Sequence, residues 1–186
     1  MRIAFLGYGR DETRLIGLLE AAGHDVEHFR ERVESLADFD LILSFGYRFI
    51  LKKPVISTAR RPILNLHISY LPYNRGAHPN FWSWIEDTPA GVTIHEIDLG
   101  LDTGGIAFQT RLAIEPEDLS FRDTYVILVE GIEQLFEDNL TKILAQDYQI
   151  VQQPDGGTYH RASELPDWVN WDMKISSAVA RYHGVG

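Results

Sequence analysis

The sequence contains no cysteine. That excludes a disulfide framework, a cysteine-ligated zinc or iron–sulfur site and a thiol nucleophile. No apolar run approaches the ~18 residues of a membrane span. The opening stretch Met1–Gly7 is too short an apolar run for a signal peptide, and no small-residue cleavage pattern follows it. These absences predict a protein of the cytoplasm. Positive charge is also scarce: 17 Lys and Arg face 27 Asp and Glu, a formal charge of −10. A field of that sign repels phosphate backbones and argues against general nucleic-acid binding.

What is present is a globular composition. Hydrophobic residues make up 45% and charged residues 24% of the 186 positions, as in ordinary soluble domains. That length is one domain with enough chain to bury a core.

The hydropathy pattern alternates strands with helices. Ile3–Leu6 reads as a strand broken by Gly7-Tyr8-Gly9. Leu15, Leu18, Leu19 and Ala22 then share one helical face, with Gly23 as its C-cap. Val26 and Phe29 suggest a second short strand, and Glu31–Ala37 a loop or a single helical turn. Leu41–Phe45 is a continuous apolar run, as in a strand covered on both faces. Residues 49–58 read as a short helix interrupted by Pro54, and Ile63–His67 as a further strand. Gly91–Ile97 alternates with period two, placing Thr93, His95 and Ile97 on one face. Ile106–Leu112 reads as an antiparallel return. Residues 119–145 carry one long helical stripe, with Ser120 or Asp118 as its cap. Tyr159-His160-Arg161 reads as a short strand. The stretch after it, with Pro166, Trp168, Trp171 and Met173, reads as a docking tail. The strand–helix alternation predicts an α/β fold with a mostly parallel sheet.

Several motifs compete for function. Gly7-x-Gly9 follows a strand, but the third glycine of a dinucleotide fingerprint falls on Glu12. A carboxylate there opposes a pyrophosphate and favours a structural turn. His24 and His28 lie ~13 Å apart on a strand, too far to share a metal. Phe81, Trp82 and Trp84 have helical spacing and read first as core.

The segment 65–105 is richer. Asn65 and His67 alternate at the C-terminal end of a predicted strand, the edge where open α/β sheets bind ligands. A turn-rich loop with Arg75 and Gly76 follows. Then come Thr93 and His95 on a strand, and Asp102 in a loop with Gly100, Gly104 and Gly105. An amide can donate to an oxyanion, an imidazole can transfer a proton, and a carboxylate can hold or relay it.

Three spaced blocks carry a resemblance. They are Asn65-Leu66-His67-Ile68-Ser69-Tyr70-Leu71-Pro72-Tyr73-Asn74-Arg75-Gly76 with Pro79, then Gly91-Val92-Thr93-Ile94-His95, then Asp98-x-Gly100-x-Asp102-Thr103-Gly104. Together the sequence resembles the formyltransferases that use 10-formyltetrahydrofolate, most of all the sugar N-formyltransferases and the formylation domains of peptide synthetases. Three features depart from the family pattern: Ile68 where many members have Pro, Gly105 where many have an acidic residue, and a short segment before Leu41.

The resemblance implies a Rossmann-like three-layer fold with a shortened N-terminal half. It implies a catalytic formyltransferase domain over residues 1–150 and a short docked extension over 151–186. Asn65, His67 and Asp102 match the family's catalytic residues. Phe49, Ile50 and Leu51 match its pterin-gripping backbone, with Asp98, Gly100 and Leu101 on the opposite wall. Arg75, Gly76, Trp82 and His95 are candidates for the acceptor side, and Arg48, Arg75 or Arg161 for its phosphates. The implied co-substrate is 10-formyltetrahydrofolate, without a metal, and the implied acceptor is the amine of a nucleotide-linked amino sugar. An aminoacyl group on a carrier protein is the alternative acceptor. Two readings from other classes also fit the residues: a zinc-dependent hydrolase using His67, His78, His95 and Asp102, and a folate-binding module without turnover. The oligomeric state has no signature in the sequence.

Overall fold

A computed structural model describes residues 1–184. In chain order the elements are β1 (Arg2–Gly7), α1 (Leu15–Ala21), β2 (Asp25–Phe29), β3 (Leu41–Phe45), α2 (Lys53–Ile56), β4 (Ile63–His67) and β5 (Arg75–Gly76). They continue with α3 (Pro79–Ile85), β6 (Gly91–Glu96), β7 (Ile106–Arg111), α4 (Phe121–Asp138), α5 (Leu140–Ala145), β8 (Tyr159–His160) and α6 (Ile175–His183). Six strands form the central sheet in the order β2-β1-β3-β4-β6-β7, and β5 pairs with β8 separately. The first four strands of that order run parallel, while β6 and β7 each run antiparallel to their neighbour. The α/β class and mostly parallel sheet expected from the sequence are present.

Side-chain alternation builds the layers. On β1, Ile3 and Phe5 join Leu15, Ile16 and Leu19 of α1 and Leu128, Ile132 and Phe136 of α4. Ala4 and Leu6 point to the other face, where they meet Leu36, Phe39, Ile42 and Ile63. Full burial of β3 on both faces explains its unbroken apolar run. The second face is thin for a definite reason. The crossover from β2 to β3 carries no helix, and Leu36 and Phe39 of that loop fill the space a helix would occupy.

Local chemistry moved several boundaries. The helix expected over 49–58 shrinks to α2, because Pro54 sits in its first turn. There a missing N–H leaves no bond unmade. Residues 46–52 become a loop instead. The stripe expected as one helix over 119–145 breaks into α4 and α5 at Asn139, whose Nδ2 donates to the Leu135 carbonyl at 2.9 Å. Such side chains compete with the helical ladder. The start of α4 follows the expectation: Ser120 and Asp123 form a capping box.

The turn reading of Gly7-x-Gly9 also holds. The Gly9 N–H donates to Glu12 Oε2 at 3.0 Å, and Arg30 donates to the same oxygen at 2.9 Å. The loop thus carries its own anion where a phosphate would sit. Phe81, Trp82 and Ile85 of α3 pack with Phe121 of α4 and Ile175 and Ala178 of α6 in a separate core. Among the described residues no helix is long and apolar enough to cross a membrane.

Phe136 is fully buried between α4 and the sheet. Phe136→Ala is expected to destabilise the protein by about 3–5 kcal/mol, read as a lower urea midpoint at unchanged slope.

Candidate functional site

The sheet order places both β2 and β3 beside β1, so the crossovers leave β1 in opposite directions. A crevice opens at such a switch point, outside the carboxyl ends of the strands. Tyr8, which follows β1, Gly46 and Tyr47, which follow β3, and the end of β4 all border it.

Strand register brings the polar residues together. Leu64 and Leu66 of β4 join the helix-side core. Asn65 and His67 therefore turn to the other face. Asn65 lies opposite His95 of β6 in the antiparallel pair, and its Nδ2 is 3.1 Å from His95 Nε2. His95 Nδ1 donates to the Glu96 carbonyl at 2.8 Å. With Nδ1 carrying the hydrogen, Nε2 is the acceptor, and the Asn65 amide is fixed with its NH2 toward His95. The second Nδ2 hydrogen faces Asp102 Oδ1 at a weak 3.4 Å.

Asp102 arrives from the loop after β6. Its backbone is left-handed, with φ of 53°. Two fastenings hold it there. Asp98 Oδ1 accepts from Gly100 N at 2.9 Å and from Thr103 Oγ1 at 2.7 Å. From the far side, Gln153 Nε2 donates to the carbonyls of Asp102 and Gly104, each at 2.8 Å. Asp102 Oδ2 accepts the Gly76 N–H at 2.8 Å, and His67 Nδ1 lies 3.8 Å from the same oxygen. That last distance is beyond a hydrogen bond. Burial alone would raise the Asp102 pKa, but His67, His95 and the Gly76 N–H more than offset it and hold the carboxyl well below its usual range.

His67 is 8% exposed. Its Nε2 donates to the Asn74 carbonyl at 3.2 Å, which leaves Nδ1 as the acceptor turned toward Asp102. Burial lowers the His67 pKa, and the attraction of Asp102 only partly opposes it. The neutral imidazole is thereby favoured. Asn74 is itself fully buried and clamped by Ser83, Thr88 and Thr158.

Two cavities meet on this cluster. One, of about 450 Å3, runs between Phe49, Ile50 and Leu51 on one wall and Asp98, Gly100 and Leu101 on the other. Arg48 and Arg161 also border it. The other, of about 540 Å3, is walled by Tyr8, Tyr125, Asn80, Arg122 and Trp171. Asn65, Gly76, Leu101 and Asp102 line both.

The remaining sequence candidates divide: His95 and His78 border the cavities, and Arg75 and Trp82 do not. Arg75 lines neither cavity: its Nε and Nη2 donate to Gln153 Oε1 at 3.0 and 2.7 Å. It secures Gln153, which in turn holds the Asp102 loop. Trp82 is buried, stacked on His160 at 4.0 Å, and borders neither cavity. His95 borders the smaller cavity beside Asn65 and sets its amide. His78 turns to Trp171, with ring centroids 5.7 Å apart, and among the described residues no cluster of three or more His, Asp or Glu is arranged to hold a metal ion. Gln153, Tyr8, Tyr125 and Trp171 are site residues that the sequence does not single out. Each comes from a segment distant in the chain, and none carries a local spacing signal.

Two cavities thus meet at one buried carboxylate and an amide donor, beside an imidazole whose burial favours the neutral form, an arrangement suited to bringing two substrates together. The comparisons give the class its name. The formyl transferase family model matches residues 17–125. The formyltransferase PseJ of Anoxybacillus kamchatkensis, solved with UDP-4,6-dideoxy-4-formamido-L-AltNAc and tetrahydrofolate, is 36% identical. The match covers 95% of this chain and 96% of that one, with a TM-score of 0.85. A 4-N formyltransferase from Francisella tularensis is 19% identical over 97% of this chain and 86% of its own, at a TM-score of 0.78. Methionyl-tRNA formyltransferase from Clostridium thermocellum, 15% identical over 96% and 80%, has a TM-score of 0.70. These last two share the fold. The chain belongs to the formyl transferase family and is a formyltransferase.

Gly76 carries a φ of 89°, and a Cβ there would sit 2.3 Å from the His160 carbonyl oxygen. Gly76→Ala is expected to cost about 1–3 kcal/mol through backbone strain and to lower the melting temperature. Because the Gly76 N–H anchors Asp102, turnover should fall further than the loss of folded protein accounts for.

Proposed function

We propose that the protein transfers the formyl group of 10-formyltetrahydrofolate to the primary amine of a nucleotide-linked amino sugar. The observation that carries this reading is the meeting of two cavities at Asn65 and Asp102. The smaller one is bordered by the positions the family resemblance assigns to the pterin, Phe49, Ile50 and Leu51 facing Asp98, Gly100 and Leu101. It takes the donor. The larger one takes the acceptor. PseJ, which was solved with a UDP-linked formamido sugar and tetrahydrofolate, supports a folate donor and a nucleotide-sugar acceptor.

The chemistry follows from the protonation states. The acceptor amine attacks the formyl carbon and a C–N bond forms. Charge builds on the formyl oxygen. Asn65 redirects to it the N–H that Asp102 holds at only 3.4 Å. A donor of this kind is typically worth ~2.7–4 kcal/mol. The amine proton passes to His67 Nδ1, whose lone pair faces Asp102 across 3.8 Å. The carboxylate stabilises the imidazolium that results, as general acid–base catalysis requires. Collapse of the intermediate breaks the bond to N10 of the folate, and the proton ends on that nitrogen. His95 acts through Asn65 as a positioning residue.

Release of tetrahydrofolate, followed by absorbance, tests the assignment against dTDP-, UDP- and GDP-linked amino sugars and an aminoacyl carrier protein. Turnover with at least one nucleotide sugar is expected; turnover with the carrier protein alone would overturn the reading. Asn65→Ala is expected to lower kcat by about 10²–10³ at an unchanged melting temperature, and Asp102→Asn by at least as much.

The pH profile follows from His67. Burial depresses its pKa below 6.5, so the neutral base persists as pH falls through that value. The acid limb of kcat/KM is expected below pH 6.5. A limb centred above 7 would remove His67 from the base role.

A further inference from the structure

The larger cavity has one face that the transfer chemistry does not use. Trp171 borders it with an indole that is 37% exposed. Phe121 meets the indole edge-on, with centroids 6.1 Å apart at 89°. Beside it, the Arg122 N–H donates to the Trp171 carbonyl at 2.8 Å, so the first turn of α4 and the 171–172 segment are locked together. Arg122 is the only Lys or Arg among the described residues lining this cavity.

The guanidinium of Arg122 is already engaged in a way that indicates its ligand. Nε and Nη2 each donate to a different oxygen of Asp172, the second at 3.2 Å. That is the fork geometry with which arginine grips a carboxylate or a phosphate. Both partners are more than 60% exposed. An ion pair so solvated contributes little to stability, and giving it up costs little.

We infer that Trp171 and Arg122 together read the nucleoside diphosphate of the acceptor, Trp171 by stacking on the base and Arg122 by exchanging the Asp172 carboxylate for a phosphate. This inference rests on the acceptor reading above and adds the residues that recognise its leaving-group half. Tyr8 and Tyr125 also line the cavity but carry no cation, so among the described lining residues Arg122 beside the exposed indole is where a planar base joined to an anion meets both a stacking face and a positive charge. Asp172 occupies the fork while the site is empty and keeps the lone cation from attracting other anions.

The test needs no turnover. UDP and dTDP alone are titrated into the wild-type protein by calorimetry, and the KM for the nucleotide sugar is measured in parallel. Trp171→Ala and Arg122→Ala are each expected to weaken nucleoside diphosphate binding at least tenfold and to raise the sugar KM alike. The KM for 10-formyltetrahydrofolate should move less than twofold. Trp171→Phe, which keeps a stacking face, should retain most of the affinity and guards against loss through misfolding. Asp172→Asn should tighten binding, because it removes the competing carboxylate; a merely structural pair would show no such gain. Wild-type binding that persists unchanged in both alanine variants overturns this inference and leaves the acceptor reading standing. Absence of both diphosphate binding and nucleotide-sugar turnover in the wild-type protein overturns the acceptor reading, and this inference with it.

Discussion

The Asp102 carboxylate is the point on which the site depends. It is an anion placed where burial opposes charge; the Gly76 N–H donates to it, and protonation of His67 or His95 favours its charge further. Each of those partners comes from a different element. Gly76 belongs to β5, His67 and Asn65 to β4, His95 to β6. Removing the charge would release the weak tie on Asn65 and the electrostatic support of a protonated His67 at once. The loop that carries Asp102 is accordingly fastened twice, by Asp98 within it and by Gln153 from a segment some fifty residues on. Gln153 is held in turn by Arg75. A chain of hydrogen bonds thus runs from the β5 strand through the C-terminal segment back to the Asp102 loop.

Topology explains why two cavities open on that one group. The parallel strands end together at the switch point beside β1, and the loops after β1 and β3 diverge around it. The antiparallel return of β6 then sets His95 directly across from Asn65, a cross-strand pair that only this register creates. A shift of one residue would turn Asn65 and His67 into the hydrophobic face and Leu64 and Leu66 out of it. The core and the chemistry therefore specify the same register. Two cavities that share Asn65 and Asp102 suit a transfer in which one C–N bond forms as another breaks.

Much of this was legible locally. Asn65, His67 and Asp102 stand in spaced motifs, and period-two alternation already put Asn65 and His67 on one face. The Phe49–Leu51 and Asp98–Leu101 segments were equally visible as matches to a family pattern, and both border the smaller cavity. Glu12 in the third-glycine position correctly indicated a turn. Arg75 and Trp82 show the limit of such reasoning. A conspicuous arginine in a motif loop turned out to brace Gln153, and a tryptophan at helical spacing stacked on His160 in a core. Nothing in their local sequence distinguishes support from contact with substrate.

The sequence by itself determined the class of the protein, because strand alternation, the absence of cysteine and the motif residues are all local properties of the chain. It also singled out Asn65, His67 and Asp102, an amide, an imidazole and a carboxylate, which the fold brings together. Tertiary structure alone decided the hydrogen-bond partners of His95, the burial that lowers the His67 pKa and the walls of the larger cavity. Tyr8, Tyr125 and Trp171 lie far apart in sequence and meet only once the sheet is closed over by α4 and the C-terminal segment. Hydrogen-bond direction, desolvation and the convergence of distant segments depend on distances through space, and a linear order of residues does not contain those.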